Sequence, residues 1–270
     1  MSARFFLLPL ATAIVGLVGA CNGVPRGAAR ARPDQIPEQV SVERGRTTYG
    51  FFTSRERVPV DVTAFRIAKR PTTVEQYAQC VSAGACRPPA ENACIVREGG
   101  GALGLPTYEV EGGDALPVTC VGIAEAQAYC AWVGGVLPTV TQWLTAARGR
   151  EVTRFAWGNR LPRCEHRPDG AERTDGVPCD RSFAIGHHAA GSSLFGVEDV
   201  LLAPGELIAS SPDAPLQSCA PPFAACVVYG GRPGAIDSAA PLFGAGPGTE
   251  EGEQSPHSYA FRCAFPGDSK

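Results

Sequence analysis

Zinc-type spacing is missing from this chain. It holds eleven cysteines, yet no CxxC pair and no Cys/His ligand spacing occurs, which excludes the usual structural zinc sites. The four histidines form no cluster; His187 and His188 are adjacent, and neighbours in sequence point different ways. Charge is sparse, at 19%, and the net charge is −3. A nucleic-acid binder needs a basic face to displace counterions, so that class is excluded. No P-loop or G-x-G-x-x-G follows a strand-like run, and no G-x-S-x-G elbow precedes a helix. Gly99–Gly101 and Gly244–Gly248 read as flexible loops. No apolar run is long enough for a convincing membrane-spanning helix.

Glycine (32) and proline (24) are abundant instead. They point to a loop-rich globular domain with few short helices and no wide sheet. The length of 270 residues suits one large domain or two small ones.

The N-terminus has the plan of a secretory signal over residues 1–20. Arg4 supplies the charge, Phe5–Val18 the apolar run, and Gly19-Ala20 the small residues before Cys21. Small residues directly before a cysteine resemble the bacterial lipobox. That implies acylation of Cys21 and a lipid anchor in the membrane. Asn22 follows, in place of the Asp that retains many lipoproteins at the inner membrane, so the resemblance points to the outer membrane. Residues 21–41 read as a flexible tether rich in Arg, Ala and Pro, and residues 42–270 as the exported domain. Setting Cys21 aside leaves ten cysteines, an even number that an oxidising compartment allows to pair.

Within the domain, Val58–Val62 alternates as a strand, and Ala64–Ile67 reads as another. Thr73 and Gln76 form a capping box ahead of Val74, Tyr77, Ala78 and Val81 on one helical face, with Gly84 as the stop. Residues 85–115 read as loop and Pro117–Val121 as a short strand. Ile123–Trp132 is a second helix, closed by Gly134-Gly135. The stretch GGVLPTVTQWLTAARG carries a third, opened by the capping box of Thr139 and Gln142 and ended by Gly149. Its stripe of Val140, Trp143, Leu144 and Ala147 marks a core helix covered on more than one side. Beyond residue 150 short strands and long loops remain.

Six segments then stand in one order: FRIAKRPTTVEQY (65–77), LPVTCVGIAEAQAYCAWVGGVLPTVTQWLTAARG (116–149), FAWGN (155–159), GVEDVLLAPGELIAS (196–210), VVYGG (227–231) and YAFRCAF (259–265). Together they resemble the sulfatase-modifying-factor, or formylglycine-generating-enzyme, family. The resemblance covers roughly residues 58–265. It implies a mixed α/β (α+β) fold related to C-type lectins, loop-rich and stapled by disulfides. Acids common in the family are replaced by Val140, Gln142 and Leu144.

The family oxidises a substrate cysteine with a close pair of enzyme cysteines that hold Cu(I), a soft ion selected by thiolates. The resemblance puts that pair between Arg232 and Arg262, where this chain has no cysteine. Copper is therefore not expected. Two readings follow. One is a non-catalytic, lipid-anchored envelope module that binds a protein or glycan ligand or serves a structural role. The other is an oxidoreductase-like enzyme of the same superfamily that uses another site. A cleft with convergent, pKa-shifted groups favours the enzyme; an apolar or aromatic patch favours the module.

The resemblance also implies a bridge from Cys130 to Cys263. Local spacing suggests Cys219–Cys226 and Cys164–Cys179. Cys80, Cys86, Cys94 and Cys120 allow three connectivities, of which Cys80–Cys120 with Cys86–Cys94 is preferred. Finally, the family string laid on residues 196–206 implies a calcium-type site of Asp199 and Glu206 with the carbonyls of Leu202 and Pro204. The alternative is that Asp199 caps a turn and Glu206 makes an ion pair.

Overall fold

The computed structural model describes residues 29–49, 57–89, 97–98, 101–102, 107–108, 111–151, 153, 155–160, 163–166, 184–200, 206–209, 225–229, 244–247 and 259–267. Three short helices carry the local signals written in the sequence. They are α1 (Val74–Ser82), α2 (Ile123–Trp132) and α3 (Val140–Arg148). In α1 the Thr73 hydroxyl accepts from the Gln76 amide, and the Gln76 side chain accepts from the Thr73 amide. Thr139 and Gln142 repeat the arrangement at α3. Each box satisfies two backbone donors that a helix start otherwise leaves open. Gly149 ends α3 with a positive φ of 91°, a conformation that a side chain disfavours.

The strands are β1 (Gln39–Val42), β2 (Gly45–Tyr49), β3 (Val58–Val62), β4 (Phe65–Ala68), β5 (Arg97–Glu98), β6 (Gly101–Ala102), β7 (Glu206–Ala209), β8 (Ala225–Tyr229), β9 (Gly244–Pro247), β10 (Ala260–Phe261) and β11 (Ala264–Pro266). They form small sheets in the orders β1-β4-β11, β10-β7-β8-β9, β2-β3 and β5-β6. Among the described strand pairs β10 with β7 is the parallel one, and Thr139 makes a parallel bridge to Ala209. This is the mixed α/β architecture that the family resemblance implies, with the loop content that the glycine and proline composition predicts. Among the described residues no helix is long and apolar enough to cross a membrane.

Two packed clusters fill the space between helices and sheets. One gathers Tyr77, Tyr129, Trp132, Phe261 and Cys263 from α1, α2 and the C-terminal strands. Tyr129 and Phe261 meet edge-on with centroids 5.5 Å apart. Burying a side chain the size of Phe261 contributes about 1.5–3 kcal/mol. The other cluster packs Val140, Trp143, Leu144 and Ala147 of α3 against Val42, Phe65, Ile67 and Ile208. Every residue of α3 except Thr141 and Gln142 is buried. The uncharged Val140 and Leu144 are thus core residues on a helix enclosed by its surroundings.

Three expectations are corrected. The domain begins well before residue 42: the indole of Trp132 donates to the carbonyl of Ala29 at 2.9 Å, and Gln39–Val42 pairs with β4. Proline and arginine content reads as tether, but the backbone here has partners that lie a hundred residues away. Pro117–Val121 is not a strand. Thr73 and Pro117 form a single bridge, the Thr119 amide donates to the Thr107 hydroxyl, and Cys120 has a positive φ of 65°, which ends extended pairing. Within the stretch read as loop, β5 and β6 pair over two residues each.

Candidate functional site

The cysteines decide whether the copper chemistry that the resemblance implies has ligands here. Cys130 of α2 is bonded to Cys263, with Cα atoms 5.4 Å apart. Cys80 is bonded to Cys86, with Cα atoms 5.3 Å apart. This corrects the expected Cys80–Cys120 and Cys86–Cys94 pairs. The chain turns back after α1, and the amides of Ala85 and Cys86 both donate to the Cys80 carbonyl, so the sixth residue on is the thiol in reach. Cys120 and Cys164 are also disulfide-bonded. Cys21, Cys94, Cys179 and Cys219 lie outside the described residues, as does the side chain of Cys226 in β8. No cysteine lies between Arg232 and Arg262. The residues present do not fit a Cu(I) pair there.

The buried polar centre is built on Arg262, which has no exposed surface, and Glu206, which is 3% exposed. Arg262 Nε donates to Glu206 Oε2 at 2.7 Å and Nη2 to Oε1 at 2.6 Å. The remaining guanidinium hydrogens go to the carbonyls of Lys69, at 3.0 Å, and Glu198, at 3.1 Å. The indole of Trp143 adds a third bond to the Glu206 carboxylate, at 2.8 Å. One cation thus satisfies itself completely while tying β4, α3, β7 and the C-terminal strands together.

Above it sits a second, more accessible layer. Glu198 receives Arg70 Nε at 2.7 Å and Lys69 Nζ at 3.2 Å. Burial alone pushes its carboxyl pKa up, but the bonds from Arg70 and Lys69 outweigh that and hold it below the ordinary value. Its neighbour Asp199 goes the other way. Burial pushes the Asp199 carboxyl up, offset in part by the Gly186 amide, which donates to Oδ2 at 2.8 Å. Asp199 has a positive φ of 56°, and its Oδ1 is buried without a hydrogen-bond partner.

This geometry bears on the calcium set. Leu202 and Pro204 lie outside the described residues. Glu206 is taken up by Arg262 and Trp143, so a cation placed against it would meet a guanidinium. Asp199 caps the backbone at Gly186. The residues therefore fit calcium poorly: Glu206 is an ion-pair partner, buried where a surface pair was the alternative. No group of three or more His, Cys, Asp or Glu side chains among the described residues is placed to hold a metal.

Lys69 and Arg70 also line an open, polar cavity of about 210 Å³ with Glu38, Glu75, Gln76 and Asp114. Sequence reasoning missed this place. Its residues come from four separate segments; Lys69 to Gln76 lie in the segment FRIAKRPTTVEQY, but nothing in the sequence brings Glu38, Asp114 and Ile185 to it. Away from it, Phe155 and Trp157 stack at 4.9 Å, and His166 lies 4.5 Å from Trp157.

Comparison with known proteins agrees with this picture. The sulfatase-modifying factor enzyme 1-like domain matches over residues 25–178. A hercynine oxygenase of Mycolicibacterium smegmatis is 26% identical over 213 residues, covering 72% of this chain and 46% of that protein. A formylglycine-generating enzyme of Thermomonospora curvata is 47% identical over 53 residues, covering 19% of this chain and 18% of that one. The chain spans about half the length of the hercynine oxygenase it matches. Among solved structures, PvdO from Pseudomonas aeruginosa superposes with a TM-score of 0.53 at 17% identity, over 86% of this chain and 95% of that one, a likeness of fold. The chain belongs to the sulfatase-modifying factor enzyme 1-like family.

Proposed function

We propose that this chain is an exported, lipid-anchored protein of the cell envelope, at the outer membrane, whose domain acts as a binding or structural module without forming formylglycine. The observation that carries the reading is the thiol inventory. No cysteine lies between Arg232 and Arg262, and Cys80, Cys86, Cys120, Cys130, Cys164 and Cys263 are all in disulfides. A copper-dependent thiol oxidation has no thiolates to use there. Those disulfides accord with an oxidising compartment, and residues 1–21 supply an export signal and an acylation site. The cavity beside Lys69 and Arg70 supports the reading in that it offers charges of both signs, with Glu38, Glu75 and Asp114, to a protein or glycan ligand.

The test has two parts. Incubation with a cysteine-containing peptide and Cu(I) leaves the peptide thiol unchanged by mass spectrometry; conversion to the aldehyde overturns the reading. Cross-linking from envelope membranes recovers a partner whose capture is lost in Arg70→Glu, and capture that ignores that charge reversal removes the cavity from the proposal.

A second reading keeps an enzyme of the oxidoreductase type on the same scaffold. It is favoured by the hercynine oxygenase relative, which matches 72% of this chain. Oxygen uptake by the purified chain with and without hercynine tests it, and no uptake above the buffer rate in either removes it.

A further inference from the structure

We infer that the domain faces the bilayer with the end of the β1-β4-β11 sheet that carries residues 29–38, and that its opposite end is kept away from the membrane. The inference rests on the lipid-anchor reading and adds a surface to it. Residues 29–38 run as a strap across that sheet end. At one side the Ala29 carbonyl accepts from the Trp132 indole at 2.9 Å, and the Ala31 amide donates to the Trp132 carbonyl at 3.2 Å. At the other side the Lys69 amide donates to the Glu38 carbonyl at 2.8 Å, and Gln39 pairs with Ala68. Val136 extends the same sheet end, bridged to Ala264 of β11.

The point where the chain leaves the described fold is therefore fixed at the C-terminal end of α2. Only residues 22–28 separate it from Cys21. Eight residue steps reach at most ~26–29 Å. A domain of this length is roughly 45 Å across by the usual size scaling. The far side cannot reach a membrane in which Cys21 is anchored; the strap end and the flanks next to it can, and the strap end lies nearest.

Exposed apolar side chains occur at both ends, so the leash length and not the apolar surface carries the inference. The strap end shows Ile36 at 38% and Val136 at 61% exposure, and the strap itself exposes Arg30 and Arg32 along with Asp34 and Glu38. The most exposed large apolar residue, Leu194 at 74%, packs beside Gly149. There the neighbouring Arg150 donates to Glu43, past the opposite end of β1. Leu194 is thus an internal reference.

The acylated full chain in phosphatidylcholine liposomes, with and without phosphatidylglycerol, is compared by hydrogen exchange with a variant carrying twenty Gly/Ser residues inserted after Gly23. Lengthening the leash lowers the local concentration of the strap end at the bilayer roughly sixfold. Peptides covering residues 29–38 and 134–137 should exchange several-fold more slowly in the natural chain, while the peptide with Leu194 exchanges alike in both. Equal exchange at the strap in a chain shown by mass spectrometry to be acylated overturns the orientation alone, as does slowing at Leu194. An unmodified Cys21 overturns the anchor reading and the orientation with it. Slowing that requires phosphatidylglycerol supports the inference and assigns the contact to the strap's basic side chains, Arg30 and Arg32.

Discussion

Arg262 and Glu206, 56 residues apart, meet as a two-point ion pair with both side chains buried. The pair is closed by Trp143 on one side and by the carbonyls of Lys69 and Glu198 on the other. Removing either charge leaves the other buried alone. Glu206→Ala and Arg262→Ala should each cost about 3–5 kcal/mol, read as a fall in the urea midpoint. Arg262→Lys should recover little, because an ammonium cannot reproduce the planar fork. A loss below about 1 kcal/mol in both alanine variants contradicts this account.

The adjacent carboxylates Glu198 and Asp199 give opposite pH dependences. Glu198 has a folded pKa below its unfolded one, through Arg70 and Lys69 acting against burial. Its stabilisation is present above the unfolded value of about 4.3 and is lost as pH falls through the folded value. Asp199 has a raised folded pKa, chiefly from burial. Its contribution is greatest below the unfolded value of about 3.9 and is lost as pH rises through the folded one. Glu198→Gln should lower Tm at pH 7 and flatten the acid limb. Asp199→Asn should hold or raise Tm at pH 7, since Asn tolerates the positive φ. Melting curves from pH 3 to 8 check both signs.

Non-reducing peptide mapping should return Cys80 joined to Cys86 and Cys130 joined to Cys263. The second bridge spans 133 residues, so a Cys130→Ser/Cys263→Ser variant should lose about 4–5 kcal/mol by chain entropy. Recovery of a Cys80–Cys120 peptide contradicts the pairing.

Both capping boxes are single-residue tests. Thr139→Ala and Thr73→Ala each remove a hydroxyl that accepts from a helix amide and should cost about 1 kcal/mol. Thr139→Ser should restore most of it, measured by chemical denaturation.

Calcium at millimolar concentration should give no heat on isothermal titration of the chelator-treated protein and no change in Tm. The reason is that Arg262 neutralises Glu206. A calcium-dependent rise in Tm that Asp199→Asn abolishes contradicts this.

What the sequence determined by itself was local. The helices Val74–Ser82 and Val140–Arg148 were legible because cap, apolar stripe and stop lie within a dozen residues, and their hydrogen bonds close inside the same segment. The six ordered motifs were enough to anticipate the fold class, and the empty interval between Arg232 and Arg262 was visible in the letters. Tertiary structure decided whatever depends on distance through space. Residues 29–41 read as tether because their composition is that of a linker; their partners, Trp132 and β4, become neighbours only after folding. Cys80 pairs with Cys86 and not Cys120 because the chain reverses directly after α1, a bend that spacing does not encode. Glu206 looked like a metal ligand in a string of oxygen-bearing positions. The fold brings Arg262 against it, and in a buried site the nearest fixed opposite charge sets what a carboxylate does.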